Sequence, residues 1–177
     1  MNYYFLVVQG IDVVAWIILF ISYYQKNTNK VLLFQLISTT LFIFHYWLLG
    51  AYSGSFICLF ELLRDYLYYR TDKDKPIFLL SIPFYGILSY FSYHSLFDLF
   101  PVVSSFIDGY SLTFSNKFVV VIGGFFSYFL WMIYDFFVGS YIGMVTDSLI
   151  VISNACILLF SKRENSKLFN KINMNKK

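Results

Sequence analysis

Long apolar runs separated by short polar breaks dominate the chain from its first residues to about position 160. A helix that crosses a hydrocarbon core of about 30 Å needs about 20 apolar residues, with a range of about 17–25. Runs 5–24, 31–49, 51–69, 118–138 and 141–160 meet that length and predict transmembrane helices. Runs 76–91 and 96–114 are weaker. The first is short and contains Pro83, and the second holds Pro101, Asp98 and Asp108.

Charge decides whether the weaker runs span. With seven spans, the first, third and fifth loops carry Lys26 and Lys30, then Arg70, Lys73 and Lys75, then Lys117. The C-terminal segment adds Lys162, Arg163, Lys167, Lys171, Lys176 and Lys177, while the N-terminus and the other three loops carry no Lys or Arg. Twelve of the thirteen basic residues therefore fall on one face, and Arg64 alone lies within a span. Removing either weak span would divide the basic loops between both faces. The positive-inside rule then gives seven spans, N-terminus outside and C-terminus cytoplasmic. The first five residues lack the positive n-region of a cleaved signal, so the first run is expected to be a retained span. Residues 162–177 read as a polar cytoplasmic tail, in which Leu168, Phe169 and Ile172 could form a short amphipathic turn on anionic headgroups.

Composition agrees with a membrane class. Charged residues make up 13% of the chain, about half the share in soluble proteins, and 59% of residues are hydrophobic. The lipid bilayer is therefore the expected surrounding. No basic patch interleaves with exposed aromatics, so nucleic acid is not an expected partner. Cys58 and Cys156 sit inside apolar runs as packing residues, and no Cys/His spacing suggests a metal. No cofactor is implied. Nor is there a Gly-x-Ser-x-Gly elbow or phosphate loop, so no catalytic residue is assigned and an enzyme is not expected.

The chain also repeats. A shift of 89 residues lays Gly50-Ala51-Tyr52-Ser53-Gly54 over Gly139-Ser140-Tyr141-Ile142-Gly143 and aligns Ser38 with Ser127 and Leu41 with Leu130. It also sets His45 opposite Tyr134 and Asp65 opposite Asn154. Each copy holds three spans, and one further span between them restores the orientation. The expected fold is an all-α membrane protein of seven transmembrane helices, arranged as two parallel triple-helix repeats joined by a linker helix (3+1+3). The boundaries are 1–70 for the first repeat, 71–94 for the loop and linker helix, 95–161 for the second repeat and 162–177 for the tail. In each repeat the short Gly-x-Tyr-x-Gly turn forces its flanking helices to be antiparallel neighbours.

Several stretches extend this picture: Gln9-Gly10, positions 45–52, Arg64, Arg70-Thr71, Leu99-Phe100-Pro101-Val102, positions 131–143 and Asn154. With the 3+1+3 order and an outer N-terminus, the chain resembles the SWEET sugar facilitators and the PQ-loop and nicotinamide-riboside transporters. It is similar in particular to the YgjV family of bacterial inner-membrane proteins. The resemblance covers most of the chain and implies a multi-pass protein of the bacterial inner membrane. Where the PQ-loop families carry Pro-Gln, this chain has Val14-Ala15 and Pro101-Val102. Of the hinge prolines that SWEET-type proteins carry in four helices, only Pro101 has a counterpart, which weakens a rocking mechanism built on them. The many tryptophans of nicotinamide-riboside carriers are absent, since only Trp16, Trp47 and Trp131 occur.

Charges at membrane depth are costly and need a partner or a wet cavity. Glu61 and Arg64 lie three apart on one helical face, either lining a cavity or forming a structural pair from which Arg64 snorkels outward. Asp147 and Asn154 lie seven apart on one face of the last span, and Asp147 is either hydrated or paired with Arg64. The resemblance puts Asn154 where SWEET-type proteins place a substrate-contacting asparagine, and an interhelical hydrogen bond is the plainer role. His45 suits a hydrogen bond between helices or a proton relay near neutral pH. Trp131 suits core packing or a stacking platform.

The candidate substrate-binding residues are thus Asn154, Glu61, Arg64, Tyr134, Trp131, His45 and Asp147. The expected function is a SWEET-like facilitator or proton-coupled carrier of a small polar solute, with its site between the repeats. The alternative is a non-transporting membrane sensor or assembly protein of the same fold.

Overall fold

The computed structural model describes residues 3–25, 28–71, 74–114 and 116–174. Of the residues used above, Met1, Asn2, Lys26, Lys73, Lys176 and Lys177 lie outside these. The described residues form seven α-helices and no strand. They are α1 (Tyr3–Tyr23), α2 (Thr28–Leu48), α3 (Tyr52–Thr71), α4 (Asp74–Ser92), α5 (Leu99–Leu112), α6 (Lys117–Val138) and α7 (Tyr141–Met174), with a 3-10 turn at Leu96–Asp98 before α5.

Each predicted run corresponds to a helix, including both weak ones. Helix α4 continues through Pro83. Helix α5 is only 14 residues long because Asp98 ends the preceding 3-10 turn. Among the described residues, three helical segments are long and apolar enough to cross a membrane: Tyr3–Ser22, Phe118–Val138 and Tyr141–Phe160. One difference lies at the C-terminus. The segment read as a polar tail continues α7 without a break to Met174. No Gly or Pro follows Gly143, so nothing in the segment ends the helix.

Successive helices pack as neighbours along the whole chain, α3 also meets α5, and α7 returns to α1. Six helices therefore close into a ring, α1–α2–α3–α5–α6–α7, and α4 packs against α3 and α5. The distribution of side chains is inverted relative to a soluble protein. Leu79, Leu80, Leu149, Ile152 and Phe160 face outward, whereas Arg64, His45, Asp12 and Asp135 are among the most deeply buried side chains. That arrangement suits lipid, where apolar surface is best outside and polar groups must find partners within.

The α2–α3 and α6–α7 turns are built alike. Gly50 (φ 75°) and Gly139 (φ 78°) are the two glycines with left-handed φ. After each, the next N–H reaches back five residues, Ala51 to the Tyr46 carbonyl and Ser140 to the Asp135 carbonyl, both at 2.9 Å. These are Schellman caps, which satisfy carbonyls that the helix end would otherwise leave open. Each following helix starts at once, with Ser55 N bonding Ala51 O and Met144 N bonding Ser140 O. A Cβ added at Gly50 or Gly139 would meet nothing within 4 Å, so an alanine there is opposed by backbone conformation alone. Gly50→Ala and Gly139→Ala should each cost about 1–2 kcal/mol, read as a lower midpoint of thermal unfolding in detergent. Gly10→Ala and Gly86→Ala, equally open but helical and without positive φ, are the controls and should be neutral or stabilising by up to about 1 kcal/mol.

Candidate functional site

Three polar clusters and two neighbouring pockets lie among the helices. The end of the bundle that carries the two Schellman turns holds the first two clusters. His45 on α2 sits with Nδ1 2.9 Å from the Val8 carbonyl and Nε2 2.9 Å from Ser140 Oγ. A carbonyl only accepts, so Nδ1 carries the proton, and Nε2 faces both the Ser140 hydroxyl and Asp12 Oδ2 at 3.7 Å. Gln9, one helical turn before Asp12, donates to the Gly139 carbonyl at 2.8 Å and accepts from the Ile142 N–H at 3.2 Å. The first turn of α7 is thereby tied to α1 and α2.

The second cluster ties the first turn of α3 to α6. The Tyr134 hydroxyl meets Ser53 Oγ at 2.8 Å and accepts from the Gly54 N–H at 3.0 Å. Ser53 in turn donates to Asp98 at 2.7 Å. Gly54 is required here, because a Cβ would stand 2.8 Å from the Tyr134 ring. Between the clusters, the Tyr46 hydroxyl donates to Asp135 Oδ1 at 2.8 Å, linking α2 to α6. Tyr46 also stacks on Trp131 with ring centroids 5.4 Å apart.

The third cluster lies towards the opposite, Lys- and Arg-bearing end. Arg64 Nε donates to Asp65 at 2.8 Å and Nη2 donates to Asp108 at 3.1 Å. Nη1 donates to the Ser105 carbonyl at 2.9 Å and to the Tyr85 hydroxyl at 3.1 Å. The planar fork of a guanidinium is what lets one side chain serve four partners on three helices. Gly109 makes room for it, since a Cβ there would lie 2.6 Å from Nη1.

Between these ends lies a cavity of about 290 Å3, walled by Trp16, Tyr46 and Trp131 and by the acidic side chains of Glu61, Asp135 and Asp147. Four of the seven candidate residues line it: Glu61, Arg64, Trp131 and Asp147. Asn154 does not. It borders a second pocket of about 270 Å3 whose walls share Trp16, Asp108 and Tyr128 with the first. His45 and Tyr134 are outside the lining as well, fully buried in the clusters that close the turn end.

Of the alternatives open for Arg64, snorkelling does not occur, for the residue is only 2% exposed. Its ion pairs are with Asp65 and Asp108 rather than Asp147. Glu61 is within electrostatic reach of Arg64 and shares Ser105 with it. Trp131 does pack, on Tyr46, while also lining the cavity. Sequence reasoning passed over Tyr46, Ser140 and Ser105. The signal for Tyr46 was present, because the 89-residue shift aligns it with Asp135, the residue it touches.

The sequence model of a family described as "Bacterial inner membrane protein", Imp-YgjV, matches residues 6–164. No curated protein and no solved structure matches the chain. The protein belongs to the Imp-YgjV family of bacterial inner-membrane proteins.

Proposed function

We propose that this inner-membrane protein is a carrier of a small polar solute, not an enzyme. In this reading, two parallel triple-helix halves, α1–α3 and α5–α7, are joined by α4 as a linker, all seven helices span, the N-terminus is outside and the C-terminus is cytoplasmic. The observation that carries the reading is the cavity, whose charged and aromatic walls come from both halves of the ring. A pocket lined by ionisable groups at membrane depth is the usual mark of a solute or ion pathway.

Matching hydrogen bonds support the two-half arrangement. Ser38 Oγ donates to the Ala15 carbonyl at 2.8 Å, and Ser104 and Ser127, the residues 89 further on, bond each other in the corresponding place. Gln9 holds the backbone of Ile142, and its counterpart Asp98 holds Ser53, the counterpart of Ile142.

One feature favours the non-transporting alternative. The six ring helices contain a single proline, Pro101, because Pro76 and Pro83 both belong to α4. Uptake by proteoliposomes across a panel of labelled sugars, amino acids, amines and nucleosides separates the two. Saturable flux of at least one solute is expected, and the absence of flux for all of them would mean a sensor or assembly role. In the same vesicles, an impermeant thiol reagent should label Tyr93→Cys and Lys75→Cys from opposite sides, and labelling from one side would refute the topology.

A further inference from the structure

The charges around the cavity do not balance. Arg64 is matched by Asp65 and Asp108. Asp12 has His45 and Ser140 beside it. Asp147 is 4% exposed, lines the cavity and has no hydrogen bond or ion pair among the described residues. Its electrostatic neighbours are Asp135, Asp12 and Glu61, which are all acids. Asp135 is fully buried, and its Oδ2 has no hydrogen-bond partner. One more buried polar atom of a residue that lines the cavity lacks a partner, the indole N–H of Trp16, which is only 9% exposed and also borders the second pocket.

Buried polar atoms in folded proteins are nearly always paired, so these two atoms, together with the unpaired Asp147 carboxylate that lines the cavity, point to what an occupant supplies. Two carboxylates call for positive charge, and an indole N–H calls for an acceptor. The aromatic walls of Tyr46 and Trp131 suit a cation, whose charge is attracted to the faces of π-rings. The volume of about 290 Å3 stands at the lower bound of small-molecule sites, which begin at about 300 Å3.

We infer that the cavity binds a small organic ammonium ion that also carries a hydrogen-bond acceptor, with Asp147 and Asp135 as counter-ions and the Trp16 N–H as donor to the acceptor. The inference rests on the carrier reading for its transport consequence and on the cavity alone for binding. The two are therefore measured separately. Binding is read as the rise in unfolding temperature of the purified protein with ligand, since a ligand of the folded state stabilises it by mass action. Flux is read in proteoliposomes.

The probes are choline and ethanolamine, each with a cationic nitrogen and a hydroxyl, then tetramethylammonium, the neutral carbon isostere of choline, and lactate as an anion. Choline or ethanolamine should bind and saturate, while the neutral isostere and lactate do not. Asp147→Asn should weaken binding by about tenfold or more, the loss of one charge-assisted contact. Trp16→Phe should remove the advantage of choline over tetramethylammonium while leaving tetramethylammonium itself bound, which keeps the test decisive if Asp147→Asn does not fold. Cation binding without flux would uphold the site and overturn the carrier reading. Flux of the isostere or of lactate, without cation binding, would overturn the site and uphold the carrier. Neither binding nor flux would overturn both.

Discussion

Arg64→Met should destabilise the protein by about 3 kcal/mol, near the lower end of the roughly 3–5 kcal/mol seen when one partner of a buried ion pair is removed. The lower end applies because Asp65 and Asp108 keep 53% and 29% of their side-chain exposure and can recover some solvation. Methionine fills much of the arginine volume, so the loss is electrostatic rather than a cavity effect. It strands the Asp108 carboxylate, whereas the Tyr85 hydroxyl still donates to the Ser105 carbonyl at 3.1 Å. Arg64→Lys should rescue little, because an ammonium cannot repeat the fork that reaches Asp65, Asp108 and Ser105 at once. The Arg64→Met, Asp108→Asn double variant should lose less than the two single losses added. Chemical unfolding in detergent measures all four proteins, and strict additivity would show that the two residues do not act as a pair.

Tyr46→Phe is expected to cost about 1–3 kcal/mol, the penalty for leaving a buried acceptor unmet. Phenylalanine keeps the ring on Trp131, so only the hydroxyl is tested. Without it, Asp135 has neither oxygen hydrogen-bonded, since Oδ2 already lacks a partner. The penalty should shrink in an Asp135→Asn background, where the group left behind is neutral. An equal penalty in both backgrounds would place the role of Tyr46 elsewhere.

The helices were legible because apolar run length sets them directly, and every run longer than about 16 residues became a helix. One of the two doubtful runs, 96–114, was doubtful for a reason the structure explains. Asp98 belongs to a turn, where it takes the N–H groups of His94 and Ser95, and Asp108 turns inward to Arg64. Acids that lower the hydropathy of a segment are in these cases satisfied inside it. The C-terminal extension of α7 was missed because a solvated helix and a polar tail share the same composition.

At the cavity, Glu61, Arg64, Trp131 and Asp147 could be picked out because charge and indole inside long apolar runs are rare. The partners of Arg64 could not be. Two of them are a backbone carbonyl on α5 and a tyrosine hydroxyl on α4, and neither leaves a trace in spacing or hydropathy. His45 and Tyr134 were paired by the repeat, and both reach a third-helix start, at Ser140 and at Ser53, but as locks on the bundle end rather than walls of the cavity.

The Tyr46–Asp135 contact joins two positions separated by 89 residues, the same interval that aligns the Gly50 and Gly139 turns. Equivalent residues can touch each other only where they flank a two-fold axis. A dimer of half-length chains would have to put one residue type opposite itself at that place, as two phenols or as two carboxylates that repel. A single fused chain escapes this constraint and can set a donor against an acceptor. In the proposed two-half reading, a single chain thus holds at its centre a chemical asymmetry that two identical chains could not, a phenol donor set against a carboxylate acceptor.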